Sequence, residues 1–309
     1  MVRFILRRAL GVLLALWAAV TLVFFAMHVV PGDPVEAALS QSTASPDVLA
    51  RRRAALGLDQ PVLVQYGRYL LNLARGDLGI SWQGDQPVAW LIGEQLPATL
   101  SLAAAGMAVA LLIGGALGIG AALGRGSIVS VVLRSAAGLL LSVPVMFSGT
   151  LLIWLFAVRL GWLPAVGRGS VAHLILPACV VGLSVAGGVA RTVDAGTTEA
   201  MREQFVITAW AKGLSRWQIV WRHALRVGLL PTLDVIALQF AFLLGGTVVT
   251  ETLFARQGIG RLLVSAVLDK NLPVVQGVVV LALLAYGLLN FCADISHAWL
   301  DPRVRHDMQ

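Results

Sequence analysis

Six long apolar stretches divide the chain, and few ionisable residues interrupt them. They cover residues 9–30, 98–123, 131–158, 171–193, 229–250 and 273–299. A helix needs about 20 mostly apolar residues to cross the hydrocarbon core of a bilayer. Each stretch is long enough, so the pattern predicts six transmembrane helices in an all-α, polytopic membrane helix bundle.

The segment between the first two stretches, residues 31–96, is less apolar and carries helix boundary signals. In SPDVLARRRAALG, Ser45 suits an N-cap, Pro46 the first turn and Gly57 the stop. The sequence QPVLVQYGRYLLNLARG repeats this order of proline and glycine. We therefore predict two short amphipathic helices on the outer surface, which either cap the bundle or contact an external partner.

A polar segment, AWAKGLSRWQIVWRHALRVGLLP (209–231), separates the fourth and fifth stretches. The pattern predicts one helix from about Thr198 that ends at Gly213, and a second helix that Ser215 and Gln218 open as a capping box. One face of the second helix is predicted to be apolar: Trp217, Val220, Trp221, Ala224 and Leu225. Such a helix–turn–helix is either gripped by another protein or lies on anionic headgroups.

The composition agrees with a membrane chain. Hydrophobic residues make up 58% and charged residues 13%, with a mean hydropathy of +0.84, whereas soluble domains carry about 25% charged residues. The cations behind the net charge of +7 are scattered between apolar stretches, which indicates membrane topology and not nucleic-acid binding. Cys179 and Cys292 each lie inside an apolar stretch and are interpreted as small hydrophobic residues.

The basic residues predict the orientation of the chain. With the N-terminus in the cytoplasm, the inner segments hold most of the arginines and lysines, including those at both ends of the chain and in 197–228. The short outer loops hold fewer: Arg159, Arg168, Arg256, Arg261 and Lys270. Because cytoplasmic loops are enriched in these residues, both termini are predicted to be cytoplasmic.

Motifs along the whole chain resemble one family. In order they are RFILRRAL, PGDPVEAAL, LGLDQPVLVQYGRYL, RGDLGISW, LPATLSL, LGWLPAVG, AKGLS…RHALR…LLP, LLGGTVVTETLFARQGIGRLL, LPVVQGVVVL and LDPRVR. This series is similar to permease subunits of bacterial ATP-binding-cassette (ABC) importers, in the dipeptide/oligopeptide/nickel branch. The chain then divides into a tail and first helix (1–30), an extracytoplasmic helical segment (31–96) and a core with five transmembrane helices (97–309).

The resemblance implies a multi-pass subunit of the bacterial inner membrane that forms half of a translocation path and catalyses nothing itself. The expected partners are a homologous second permease, two ABC ATPase subunits that bind ATP and Mg, an extracytoplasmic substrate-binding protein and membrane lipid. No cofactor is expected in this chain. Di- or oligopeptides are the first expected cargo; nickel, a metal chelate or glutathione are the alternatives.

The resemblance also implies a coupling loop at about 197–228, whose short helix fits a cleft on an ATPase. By position, its contact residues are Ala209, Lys212, Gly213, Leu214, Ser215 and Arg216. Ile207 stands where many such loops carry an acidic residue.

Other sources of function have weaker support in the sequence. The only lysines are Lys212 and Lys270, and neither belongs to a phosphate-binding G-x-x-x-x-G-K-[ST] motif, so energy must come from a partner or an ion gradient. An ion-gradient-driven carrier, the remote alternative, needs ionisable groups inside the membrane. Asp194, Asp234 and Asp294 are the candidates, and we expect Asp194 to pair with Arg191 or a neighbouring arginine.

Catalysis and metal binding are disfavoured, because Ser148, His173 and His28 show no spacing that indicates a nucleophile with its base or a metal site. Polar residues on the apolar stretches are instead candidates for the translocation path, with ordinary helix packing as the alternative: Ser142, Ser148, Gln239, Thr247 and Thr250.

Overall fold

The structure is a computed structural model. It describes residues 2–29, 46–167, 169–229, 232, 235–236, 238–240, 243 and 247–300, without the side chains of 2–9, 46, 52 and 289–300. The α-helices of this part are α1 (Val2–Val29), α2 (Pro46–Leu56), α3 (Val62–Ala74), α4 (Val88–Leu123), α5 (Ile128–Ser142), α6 (Val145–Leu152), α7 (Ala172–Ala200), α8 (Gln204–Ala211), α9 (Arg216–Ile219), α10 (Leu225–Gly228), α11 (Val248–Leu253), α12 (Ile259–Leu268) and α13 (Leu272–Leu300). π-Helical turns follow α6 (Ile153–Arg159) and α9 (Val220–Ala224).

The long apolar helices confirm the all-α membrane bundle. Within the described residues, α4, α7 and the Leu10–Val29 part of α1 are long and apolar enough to cross a bilayer, and the pair Ile128–Ser142 and Val145–Arg159 adds a fourth span if it is counted as one. The predicted span 229–250 falls largely outside the described residues. The total of six spans therefore stays a prediction.

The predicted continuous span 131–158 is wrong in its geometry. The chain bends by 99° between α5 and the helix that follows. Val143 has an extended backbone, with φ −80° and ψ 121°, and Pro144 precedes α6. The proline ring disfavours a helical conformation at the residue before it, which explains why the helix stops there.

Segment 31–96 contains two helices, as predicted: α2 and α3. Their position on the outer surface stays a prediction. Gly57 follows α2 with φ +69° and Gly76 follows α3 with φ +78°, the left-handed conformation that glycine adopts without a Cβ clash. The part of the segment before residue 46 lies outside the described residues. Chain contacts divide the molecule into two compact units, Met1–Pro97 with Gln257–Ala285 and Ala98–Arg256 with Tyr286–Gln309.

In the first unit, α3 packs along the second half of α1. The hydroxyls of Thr21 and Tyr66 are 2.6 Å apart, and the Phe24 ring lies 5.3 Å from that of Tyr66 and 6.0 Å from that of Tyr69. Burial, together with the neighbouring Tyr66, raises the pKa of Tyr69 to about 12. This aromatic contact favours the cap interpretation of segment 31–96.

The second unit depends on close contact between α4, α5 and α7. Gly118 of α4 lies against α7 so closely that a Cβ there would meet the Ala190 carbonyl oxygen at 2.6 Å. Gly114, one turn earlier, has the same relation to Ala186. Small residues allow helix backbones to approach in this way, and packing then supplies the association energy that lipid does not.

We predict that Gly118→Val destabilises the protein and that Gly115→Val does not. Valine at 118 would overlap α7, and overpacking of this kind costs about 1–3 kcal/mol. A Cβ at Gly115, on the same helix, meets no atom within 4 Å. Thermal unfolding of the detergent-purified variants measures the difference, and equal unfolding temperatures would contradict the packing argument.

Candidate functional site

The polar segment after α7 folds as a helical hairpin, residues 204–228. Gly213, with φ +79°, ends α8: its N–H donates to the Trp210 carbonyl at 2.8 Å, and the Leu214 N–H donates to the Ala209 carbonyl at 3.2 Å. These two bonds form a Schellman motif. Both predicted features, the glycine stop and the capping box of Ser215 with Gln218, are confirmed.

The helix predicted to run from Thr198 to the glycine is wrong, because the chain turns at residues 201–203. α7 ends at Ala200 and α8 starts at Gln204. Propensity and early acids favoured one helix, but packing favours the break. Met201 and Phe205 lie against a small core in which Val206, Ala209 and Ile219 are buried, so the turn brings α8 onto α9.

The predicted apolar stripe of the second helix is only partly correct. Val220, Ala224 and Leu225 are buried, whereas Trp217 and Trp221 are 57% and 49% exposed with ring centroids 5.4 Å apart. The π-helical turn Val220–Ala224 changes the spacing from the α-helical period used in the prediction. The tryptophans therefore form an exposed pair beside the buried face.

The six residues expected to meet an ATPase occupy two environments. Lys212, Gly213, Ser215 and Arg216 are exposed at the tip of the hairpin and Leu214 is half-buried. Ala209 is buried in the small core, where it supports the fold of the tip. Ile207, Trp210 and the tryptophan pair add exposed apolar surface to the hairpin.

Two contacts fasten the hairpin to the helix bundle of its own unit. The Arg216 guanidinium donates from Nη2 to the Ala122 carbonyl at 3.0 Å, at the C-terminal end of α4. Carbonyls there lack helical partners, and the helix dipole favours a cation beside them. On the other side, Gly228 of α10 touches Gly196 of α7, since a Cβ on Gly228 would lie 2.6 Å from the Gly196 carbonyl oxygen.

A buried glutamate that the sequence analysis did not consider joins α11 to α4. Glu251 is 0% exposed, and its Oε1 accepts hydrogen bonds from the hydroxyls of Thr99 at 2.6 Å and Thr247 at 3.0 Å. The sequence held a signal, since Glu251 directly follows the apolar stretch 229–250 and a carboxylate that becomes buried needs hydrogen-bond partners. The sequence alone pointed to aspartates as the ionisable groups inside the membrane.

Arg256 strengthens the same junction. Its Nε and Nη2 donate to the Ala98 carbonyl at 3.3 and 3.2 Å, and Nη2 also donates to the Ser101 hydroxyl at 2.8 Å. Its backbone N–H donates to the Glu251 carbonyl at 2.8 Å. The segment 247–256 is thus held against α4 by both of its charged side chains.

The predicted path residues make helix-packing contacts in the described part of the chain. Ser142 and Ser148 donate to carbonyls of their own helices, and Gln239 lies near Gly188 of α7. Thr247 and Thr250 are buried, and Thr247 belongs to the Glu251 junction. These contacts are those of helix packing, and the assignment of these residues to a path stays a prediction.

Asp194 pairs with a neighbouring arginine, as expected, and the partner is Arg134 of α5. Their two hydrogen bonds, Nε to Oδ2 at 2.7 Å and Nη2 to Oδ1 at 3.1 Å, make a bidentate pair. The structure thus gives Asp194 a structural partner. Asp234 lies outside the described residues, as does the side chain of Asp294.

Comparison with known proteins identifies the family of the chain. The family model "Binding-protein-dependent transport system inner membrane component" matches residues 114–306, and the model of the N-terminal part of such components matches residues 1–103. The glutathione transport system permease protein GsiC of Salmonella paratyphi A is 38% identical over 306 residues, 99% of this chain and 100% of the relative. The protein of the same name in Escherichia coli K12 is 37% identical over the same shares.

A solved structure supports the fold. An inward-facing structure of the MetNI methionine ABC transporter aligns with a TM-score of 0.59 at 19% identity, over 69% of this chain and 97% of the other. At this identity the likeness shows the architecture alone. Since the family models match nearly the whole sequence, the chain belongs to the binding-protein-dependent transport system inner membrane components, and it is a multi-pass permease subunit of an ABC importer.

Proposed function

We propose that this permease imports short peptides of the glutathione class. The observation that carries the proposal is end-to-end identity of 37–38% to permeases named for glutathione transport. Glutathione is a tripeptide, and it is one of the alternatives that the sequence analysis gave to the di- and oligopeptides expected first. Selectivity for the individual peptide is assigned to an extracytoplasmic substrate-binding protein, in keeping with the family description.

We expect the complete transporter, expressed in a bacterial host that lacks its own glutathione and dipeptide importers, to restore uptake of radiolabelled glutathione. Deleting this permease should abolish the uptake, because half of the path would be missing. Labelled dipeptide and nickel are assayed in parallel in the same cells. Nickel uptake without peptide uptake would contradict the cargo assignment and leave the importer assignment standing.

The proposed assembly contains this chain, a homologous second permease, two ATPase subunits that bind ATP and Mg, and the binding protein. The chain itself is proposed to hold no cofactor and to catalyse nothing. Both termini and the hairpin are proposed to be cytoplasmic, and the distribution of basic residues supports this orientation. This places the exposed tip, Lys212 to Arg216, where an ATPase could bind it.

The hairpin's attachments support a coupling role. A displacement of the tip would act on α4 through the Arg216–Ala122 hydrogen bond and on α7 through the contact of Gly228 with Gly196. The small core around Val206 and Ile219 stiffens the hairpin between these attachments. Interactions of this kind transmit movement only if the hairpin keeps its shape, which makes the glycine stop a sensitive position.

We predict that Gly213→Val uncouples ATP hydrolysis from uptake. A β-branched residue at φ +79° costs roughly 1–2 kcal/mol and shifts the exposed tip. In vesicles containing the whole transporter, uptake should fall about tenfold or more relative to ATP hydrolysed. Gly126→Val is the matched control, since Gly126 has φ +87° but lies in the turn between α4 and α5. Equal losses of uptake in both variants would contradict the coupling role.

We also propose that the Glu251 junction positions α11 beside α4 during transport. Glu251→Ala should lower the unfolding temperature and uptake, since it removes the acceptor of two buried hydroxyl hydrogen bonds, each contributing about 1 kcal/mol. Glu251→Gln keeps an oxygen in place and should do less harm. Glu199→Ala is the control, because Glu199 is exposed in a weak surface pair with Arg202. Equal effects of the alanine and glutamine variants would argue against the junction.

A further inference from the structure

A groove between α4, α5 and α7 contains both apolar and basic side chains. Its volume is about 240 Å³, which is below the roughly 300–1,000 Å³ of sites that enclose a whole small molecule. Its apolar wall includes Leu117, Ala121, Leu133, Ala137 and Ala190. A space of this size and lining suits one section of an elongated apolar ligand.

Three ionisable side chains line the same groove: Arg134, Arg191 and Asp194. Asp194 is already engaged by Arg134, and two cations with one anion leave a charge of +1. The Arg191 side chain is exposed and lies near Gly138 of α5. Within the described residues it has no ion-pair partner, so its guanidinium is available to an anion.

The depth of Arg191 in the membrane matches the depth at which a lipid headgroup lies. Residues 172–190 of α7 precede it, and at 1.5 Å per residue they extend about 28 Å, close to the roughly 30 Å hydrocarbon core of a bilayer. The guanidinium therefore falls at the membrane surface on the hairpin's side of α7. Arg134 is flanked on α5 by Val131 and Val132, which are 63% and 58% exposed, a surface typical of contact with lipid.

We propose that this groove binds one anionic phospholipid. The Arg191 guanidinium binds the headgroup phosphate, for which its planar set of donors is well suited, and part of an acyl chain lies against the apolar wall. The Arg134–Asp194 pair fixes the side of the groove and neutralises Asp194, so that Arg191 supplies the net positive charge. Basic pockets between membrane helices are known to select anionic headgroups in this way.

Native mass spectrometry of the full-length chain in mild detergent tests the proposal. Phosphatidylglycerol and phosphatidylcholine with the same acyl chains are titrated separately, and the first phosphatidylglycerol should bind roughly fivefold more tightly, the factor expected for one arginine at a headgroup. Inorganic phosphate should not displace it, since the acyl chain contributes to binding. Equal retention of the two lipids by the wild-type chain would overturn the proposal without any variant.

Substitutions locate the site. Arg191→Gln should lose the preference for phosphatidylglycerol and Arg191→Lys should keep part of it, with unfolding temperatures checked for both. Arg125→Gln is the matched control, because Arg125 is exposed in the turn after α4 and does not line the groove. An equal loss in the Arg125 variant would indicate general surface attraction only. Loss of the lipid when the second permease assembles would also overturn the proposal, because protein would then cover the groove in the transporter. Lipid retention is measured without transport, so its failure leaves the proposed cargo unaffected.

Discussion

Close backbone contact between helices is the interaction on which the second unit depends. Lipid solvates apolar side chains as well as a neighbouring helix does, so helices in a membrane gain little from hydrophobic burial and must gain from dense packing. Gly114, Gly118 and Gly182 permit that density between α4 and α7. The same device recurs where α10 meets Gly196, so the hairpin is joined to the bundle by the interaction that holds the bundle together.

The sequence predicts the parts of this architecture that depend on local signals. The length of the apolar stretches is enough to predict α1, α4 and α7. The glycines after α2, α3 and α8 are enough to predict where these helices end, because a helix stop is a local signal. The capping box of Ser215 and Gln218 belongs to the same group. The resemblance to importer permeases added the family, which local signals alone could not have given.

Tertiary packing decides the features that the sequence analysis missed. The turn at 201–203 exists because Phe205 and Val206 have Ile219 to pack against, and no window of sequence around Thr198 contains Ile219. The partner of Asp194 lies 60 positions away on α5. The contact of Glu251 is harder still to predict, since its carboxylate accepts a hydrogen bond from Thr99, 152 positions earlier. The carboxylate alone could be flagged from sequence, but its partners could not.

The two attachments of the hairpin differ in what they can transmit. The Gly196–Gly228 contact is backbone against backbone, so any movement of α10 must move α7 or open a gap between them. The Arg216–Ala122 hydrogen bond is made by the end of a long side chain. Such a side chain can follow small shifts of the hairpin without displacing the carbonyl that accepts the bond. A push on the tip is therefore expected to reach α7 first and α4 second. α7, which also carries Asp194 and the groove-lining Arg191, is therefore the helix through which the proposed coupling signal would enter the bundle.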